Sequence, residues 1–233
     1  SGLGASSSLT TNFVNVISHL QGKKTTPDKI AIKAYEIGHD ILKWGIGKQD
    51  EYASAFGGLN LYKFTKNKVI VKPINLKKST AKELQDNSLL FRLGDREHSK
   101  GILQSQIKSI NQSNKTTILA LHKAKELAIE MYDSLKENDL TKFSDILNRG
   151  WEAKRDYTKG VRNKRIEMVS KKATENGAQA LKVTGAGGGG HFFIYANPSK
   201  HNSIIKSLKK LGVNNVDFKY QNQGSRVFEI NNL

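Results

Sequence analysis

Cysteine is absent from this 233-residue sequence. That excludes disulfides and thiolate metal sites and suits a reducing, cytoplasmic setting. Long apolar runs are missing too. None approaches the roughly 18 residues that a helix needs to cross a bilayer, so no membrane partner is expected. Proline is scarce, and two of its three copies, Pro27 and Pro198, stand where helices are expected to begin. Acidic residues run short: 21 Asp and Glu face 38 Lys and Arg, a formal net charge of +17. Such an excess favours anionic partners, whether phosphorylated small molecules, nucleic acid or a membrane surface, but a solvated lysine-rich exterior gives the same count. Charge alone does not choose among them. A hydrophobic share of 37% with 25% charged residues is ordinary for a globular protein. The length allows one large domain or two small ones with real cores.

Ser1 opens directly onto Gly2-Leu3-Gly4-Ala5-Ser6-Ser7-Ser8. A tight glycine turn into a helix normally follows a strand, so the chain is expected to begin inside a fold with an upstream segment elsewhere. The three serines offer caps for a helix with Phe13, Val14, Ile17 and Leu20 at helical spacing. Thr26, Pro27 and Asp28 start a second helix, with Ile30, Ala34, Ile37 and Ile41 on one face. A glycine-flanked loop from Gly45 to Asp50 leads to a short helical stretch ending at Gly57-Gly58. Leu59–Phe64 and Lys68–Ile74 read as a strand pair, and Leu89–Leu93 as a short buried strand. Helices are expected near Ser99–Gln112, Thr116–Lys136, Asp139–Lys154 and Val161–Glu175. The second of these should present Leu119, His122, Ala124, Leu127 and Met131 inward. The last part reads as strands at Ala180–Thr184 and His191–Ala196, a helix at Pro198–Leu211, and strands at Val213–Tyr220 and Arg226–Ile230. That ending suggests a ferredoxin-like half-domain. The elements read as an α+β chain; the resemblance set out below implies a division into segments 1–75 and 76–233.

Three stretches could carry chemistry. Glycines at the start of the chain let backbone approach an anion closely, and the following helix start supplies unpaired amides and the positive end of a dipole. This is not a Walker A loop, since no Gly-Lys-Ser/Thr follows. In the second stretch, Gly47-Lys48-Gln49-Asp50, a carboxylate beside a lysine suits a base that accepts a hydroxyl proton while a cation neutralises developing charge. In the third, Gly187-Gly188-Gly189-Gly190 lies between two apolar strands. Four glycines are costly to order and make sense where backbone packs against a ligand or another loop.

Together these resemble the GHMP kinase superfamily, which includes galactokinase, homoserine kinase and mevalonate kinase. Gly2 to Ser8 resembles its second signature, Gly-Leu-Gly-x-Ser-Ser, and Gly185 to Gly190 its third. Gln49-Asp50, Tyr52 and Ala55-Phe56-Gly57-Gly58 are similar to the catalytic loop of the heptose 7-phosphate kinases. Gly94-Asp95-Arg96 and Trp151-Glu152-x-Lys154 resemble two further family segments in the right order. The resemblance runs from Ser1 almost to the end. It implies a GHMP kinase fold: a ribosomal protein S5 domain 2-like N-terminal part, incomplete here, and a ferredoxin-like C-terminal part.

The same resemblance implies transfer of the ATP γ-phosphoryl group to the anomeric hydroxyl of a heptose 7-phosphate, with Mg2+. Asp50 would be the general base, assisted by Lys48. Gly2, Leu3, Gly4, Ala5, Ser6, Ser7 and Ser8 would hold the ATP phosphates, with Ser8 also at the metal. Lys48, Arg96, Lys154 and Arg155 would be candidates for the acceptor's phosphate, with Gly187, Gly188 and Gly189 also at the phosphosugar. Many relatives carry a glutamate about a dozen residues before the base, as a second Mg2+ ligand; Gly38 falls nearest that place, leaving Glu36 or Asp40 as substitutes, or a metal held by serine, phosphates and water. The first signature is absent. Alternative readings are a fucokinase-like or galactokinase-like member, or a non-catalytic relative. Nucleic-acid binding is disfavoured, because the basic stretch from Lys154 to Lys172 holds only Tyr157 as an aromatic. A homo-oligomer is compatible with the sequence, which does not decide the point.

Overall fold

The structure, a computed structural model, describes residues 2–94, 99–157, 160–161 and 163–229. They form two compact units, each with its own core.

The first unit runs from Gly4 to Pro73 and is joined by the chain from Tyr220 onward. It holds α1 (Ala5–Leu20), α2 (Pro27–Glu36), α3 (Gln49–Phe56) and a hairpin of β1 (Asn60–Phe64) and β2 (Val69–Pro73). Helix α2 starts as expected: Pro27 fills the first turn and the Thr26 hydroxyl accepts a hydrogen bond from the Lys29 amide at 3.4 Å. Val14, Ile30, Ala31, Ala34, Tyr52 and Ala55 make the core. Ala31 and Ala34 are almost fully buried, and their small side chains let backbones approach. The expected apolar face of α2 does not extend to Ile41, which is 67% exposed, because the helix widens into a π-helical turn at Ile37–Ile41. Nor do the serines cap α1. They lie within it, and the cap residue is Gly4 in the left-handed region, with φ of 67° and no side-chain cap.

The C-terminal stretch corrects two expectations. No strand forms in its described part, through residue 229; Ile230 lies outside the described residues. Instead of completing a domain that spans 76–233, the stretch packs on the first unit. The Gly58 amide donates to the Gln221 carbonyl at 2.9 Å, and the Ser225 amide to the Ser54 carbonyl at 3.0 Å. The approach is close enough to require glycine at Gly57, where a Cβ would lie 2.2 Å from the backbone of Gln223.

The second unit contains Ile74–Lys219, with residues 2 and 3. Its elements are α4 (Lys78–Asp86), β3 (Ser88–Gly94), α5 (Ser99–Asn111), α6 (Lys115–Glu137), α7 (Leu140–Arg155), α8 (Lys164–Glu175), β4 (Ala180–Val183), β5 (Gly190–Tyr195), α9 (Pro198–Lys209) and β6 (Asn214–Val216). Helix α4 has no counterpart in the sequence reading: it is short and polar, and buries only Thr80 and Leu84. The sheet order is β4-β5-β3-β6, every pair antiparallel. Strand β3, a long helical crossover, the β4–β5 hairpin, then α9 and β6 give the full ferredoxin-like order rather than half of it. The upstream strand β3 supplies the centre.

Alternation sets the buried face. Phe192 and Ile194 are fully buried, and Phe91 pairs with Phe192 across the sheet. Helix α6 keeps only part of the expected face: Leu127 is buried as expected, and Ala124 and Met131 are half-buried. Leu119 is 68% exposed and His122 faces solvent, while Ala120, Leu127 and Leu135 point inward. Polar Thr117 and Ser134 share that buried face, which a hydrophobic count does not see.

Phe192→Ala should destabilise the second unit by about 3–5 kcal/mol, the usual cost of emptying a fully buried phenylalanine site. Phe193→Ala, on the opposite face, should cost clearly less; urea unfolding of the two variants checks the ordering.

Candidate functional site

The start of α1 is an open helix end. Its first intrahelical hydrogen bond runs from the Ser8 amide to the Gly4 carbonyl, at 2.8 Å. Helix geometry therefore leaves the amides of Ala5, Ser6 and Ser7 directed out of the helix start, at the positive end of its dipole. Gly2 and Gly4 both adopt positive φ, 81° and 67°, so this turn needs glycine. Asp50 lies against it. A Cβ built on Gly4 would sit 3.4 Å from both Cβ and Oδ2 of Asp50, the second residue of α3. Two stretches 46 residues apart in sequence thus bring a carboxylate to an open helix end, the kind of place that attracts anions. Lys48, at the cap of α3, is exposed and holds its Nζ 5.0 Å from the centre of the Tyr35 ring. The Tyr35 hydroxyl is pushed up from its ordinary pKa, first by burial and then by the charges of Asp40 and Glu51.

Sequence reasoning missed Glu51. It is 1% exposed, and its Oε1 accepts a 2.7 Å hydrogen bond from the Ser7 hydroxyl. Its other oxygen has no hydrogen-bond partner among the described residues, and neither has the hydroxyl of fully buried Thr11, one turn beyond Ser7. Burial is the largest influence on the Glu51 carboxyl and raises its pKa. The bond from Ser7 opposes the rise, and the neighbouring Asp50 adds to it. Ser7 itself is buried, so its hydroxyl is committed inward; what it offers a ligand is its amide. The neighbouring Ser8 is partly exposed. The available signal was helical phase: Glu51 shares a face with buried Ala55, four residues on, whereas Asp50 lies about 100° around the helix.

The candidate metal ligands do not gather. Glu36 pairs with Lys33 at 2.9 Å, and Asp40 with His39 at 2.7 Å. At Gly38 a Cβ would lie 2.6 Å from Ile46 Cδ1, so a longer side chain there would require the Ile46 side chain to shift. Among the described residues no group of three or more His, Cys, Asp or Glu could hold an ion. A magnesium ion here would take most of its oxygen ligands from phosphate and water, with Ser8 the one protein candidate this turn supplies.

In the second unit the glycine loop joins β4 to β5. Gly185, Gly187, Gly188, Gly189 and Gly190 all have positive φ. A Cβ on Gly188 would meet Ile102 Cδ1 at 2.4 Å, and one on Gly187 would meet Val161 at 3.0 Å. The loop is pinned from outside the hairpin: Lys154 Nζ donates to the Gly185 carbonyl, and Asn163 Nδ2 to the Gly188 carbonyl at 3.2 Å. Lys154 and the loop are therefore together, as the motifs suggested. Arg155 is not a free anion ligand, because its guanidinium forks onto both carboxylate oxygens of Glu167, at 3.1 and 3.0 Å, and also reaches Glu152. Arg96 lies outside the described residues.

Residues 131–214 match the family described as GHMP kinases C terminal. The chain is 32% identical over 231 residues to D-glycero-alpha-D-manno-heptose 7-phosphate kinase of Campylobacter jejuni, covering 99% of this chain and 68% of that protein. It is 24% identical over 201 residues to the L-fucokinase/L-fucose-1-P guanylyltransferase of Bacteroides fragilis, of which it covers 21%. Among solved structures it resembles a D-glycero-D-manno-heptose 1-phosphate kinase from Bacteroides thetaiotaomicron, with TM-score 0.75, 27% identity, and coverage of 98% of this chain and 65% of that one. It also resembles a putative sugar kinase from Campylobacter jejuni, with TM-score 0.72, 30% identity, and coverage of 96% and 62%. The chain thus spans less than two thirds of both solved chains.

The raised pKa of Glu51 sets a pH test. An acid whose folded pKa lies above its ordinary 4.5 favours the folded state most below that value, and the contribution is lost as pH rises through the folded pKa. Glu51→Gln cannot ionise. Its stability relative to wild type, from urea unfolding, should therefore increase from acid toward neutral pH; a constant or shrinking difference contradicts the assignment.

Proposed function

The chain belongs to the GHMP kinase family, and on that premise we propose that it transfers the γ-phosphoryl group of ATP to the anomeric hydroxyl of a heptose 7-phosphate. One observation carries the reading: the Asp50 carboxylate lies against Gly4, at the open start of α1. Phosphates bind at such a helix end, and a carboxylate beside them can accept a proton from an attacking hydroxyl.

In this reaction the sugar oxygen forms a bond to the γ-phosphorus while the bond from that phosphorus to the bridging oxygen breaks and ADP leaves. The hydroxyl proton goes to Asp50. The amides of Ala5, Ser6 and Ser7 bind the phosphates, and Lys48 lends positive charge beside the base. Magnesium, when bound with the nucleotide, neutralises charge on the phosphates. Lys154 and Arg96 are the proposed cations for the acceptor's own phosphate, and Gly187 to Gly189 its backbone wall. A net charge of +17 suits two anionic substrates. The work is positioning and electrostatics, so the rigidity of the elements carrying these groups is what the fold contributes.

The relatives' names support a phosphorylated heptose and differ in which phosphate the acceptor already carries. Phosphorylation of the 7-phosphate at the anomeric oxygen and of the 1-phosphate at the far end both give a 1,7-bisphosphate. The product therefore does not separate the two readings, whereas the acceptor does. ADP release should be seen with heptose 7-phosphate and not with heptose 1-phosphate, free fucose or free galactose; preference for any of those three acceptors replaces the present reading.

Asp50→Asn should lower kcat by roughly 10²–10⁴-fold, the usual worth of a positioned base, while the affinity for Mg·ATP is retained. Turnover at the wild-type rate would remove Asp50 from the role.

A further inference from the structure

Glu51 is an expensive residue to bury. Only one of its carboxyl oxygens is hydrogen-bonded among the described residues, and a Leu or Met would fill similar volume without the desolvation cost. Stability therefore gives no reason for a carboxylate here. Position does. Glu51 follows Asp50 directly on α3, and its partner Ser7 is the third residue of α1. One short hydrogen bond therefore joins the helical turn that presents the base to the helical turn whose amides open toward an anion. Asp50 faces outward and Glu51 inward from the same turn. A slide or rotation of α1 against α3 would strain the Ser7–Glu51 bond and shift Asp50 from Gly4 together.

We propose that Glu51 is a positioning residue that fixes the phosphate-binding start of α1 relative to Asp50 through the Ser7 hydroxyl. The proposal rests on the kinase reading above and deepens it: the nucleotide's phosphates and the base share one mount, and this bond sets its register. The bond needs an acceptor at the Glu51 position and does not need a negative charge. Glu51→Gln keeps an amide oxygen of the same reach and preserves the mount. Glu51→Ala and Ser7→Ala each remove it. The acceptor sugar's own phosphate is bound elsewhere, so its apparent affinity is untouched.

The test compares wild type with Glu51→Gln, Glu51→Ala, Ser7→Ala and the double Ser7→Ala/Glu51→Ala variant. The readouts are Mg·ATP affinity by calorimetry, kcat, and KM for ATP and for heptose 7-phosphate, with near-UV circular dichroism confirming that each variant is folded. Misplacing groups by a fraction of an ångström to an ångström costs about 10- to 100-fold, so Glu51→Ala and Ser7→Ala should each lose about tenfold in Mg·ATP affinity and in kcat. KM for the heptose phosphate should stay within about twofold, Glu51→Gln should stay near wild type, and the double variant should be no worse than either single one.

Four results overturn the proposal. One is a folded Glu51→Ala that loses thermal stability alone. Another is Glu51→Gln as impaired as Glu51→Ala. The others are additive losses in the double variant, or a KM for the sugar that moves with the rest. The kinase reading fails separately. If wild type binds Mg·ATP and transfers nothing, that reading is lost, while the affinity comparison still decides the role of Glu51. A wild type that does not bind Mg·ATP overturns both.

Discussion

Three amides at the start of α1 have no partner inside their helix, and the side chain of Asp50 lies against the glycine that precedes them. That juxtaposition is the constraint on which the rest of the site depends. An open helix end attracts anions through donors and dipole together, but it does so in many proteins without consequence. Here it acquires chemical direction because α3 brings a carboxylate to it. Packing enforces the arrangement: Val14, Ile30, Ala34, Tyr52 and Ala55 join the three helices in one core, and the buried Ser7–Glu51 bond links α1 to α3 beside that helix end. The Tyr52 hydroxyl, donating to Asp28 at 2.9 Å, ties α3 to the first turn of α2 in the same manner.

The second unit works by a different principle. Its sheet places the glycine loop between two strands whose inward side chains are fully buried, so the ends of the loop are fixed. The glycines then answer two demands at once. Their φ values are closed to other residues at modest cost, and Ile102 and Val161 come so close to the backbone that a methyl group would collide. The loop is thus a packed object held by Lys154 and Asn163 rather than a slack connection. Lys154 reaches the loop carbonyl, whereas its neighbour Arg155 is turned to Glu167. Adjacent basic residues on one helix thereby have different roles.

Much of this was written in local pattern. Thr26 and Pro27 announced α2, the strand pair of β1 and β2 was visible in its apolar residues, and the long helices appeared within a few residues of their ends. The three glycine and carboxylate stretches were found by composition, and their likeness to the GHMP kinases followed from their order. Other features escaped. Helix α4 is too short and polar for periodicity to detect. The buried face of α6 includes Thr117 and Ser134 beside the expected Leu127, so counting hydrophobic residues found only part of it. Glu51 escaped because a carboxylate next to a candidate base reads as a second surface charge.

The sequence by itself determined most of the helices, the β1–β2 hairpin, the glycine stretches and the family the chain resembles, because those depend on neighbours a few residues away. Tertiary structure alone decided that β3 enters the centre of a sheet completed some 100 residues later. It also decided that the chain from Tyr220 returns to the first unit, and that of two adjacent carboxylates one faces the Gly4 turn and the other the core. The physical reason is common to all three. Each depends on which distant surface arrives to exclude water, and burial of a backbone edge or a carboxyl is a property of the assembled packing, not of the residue.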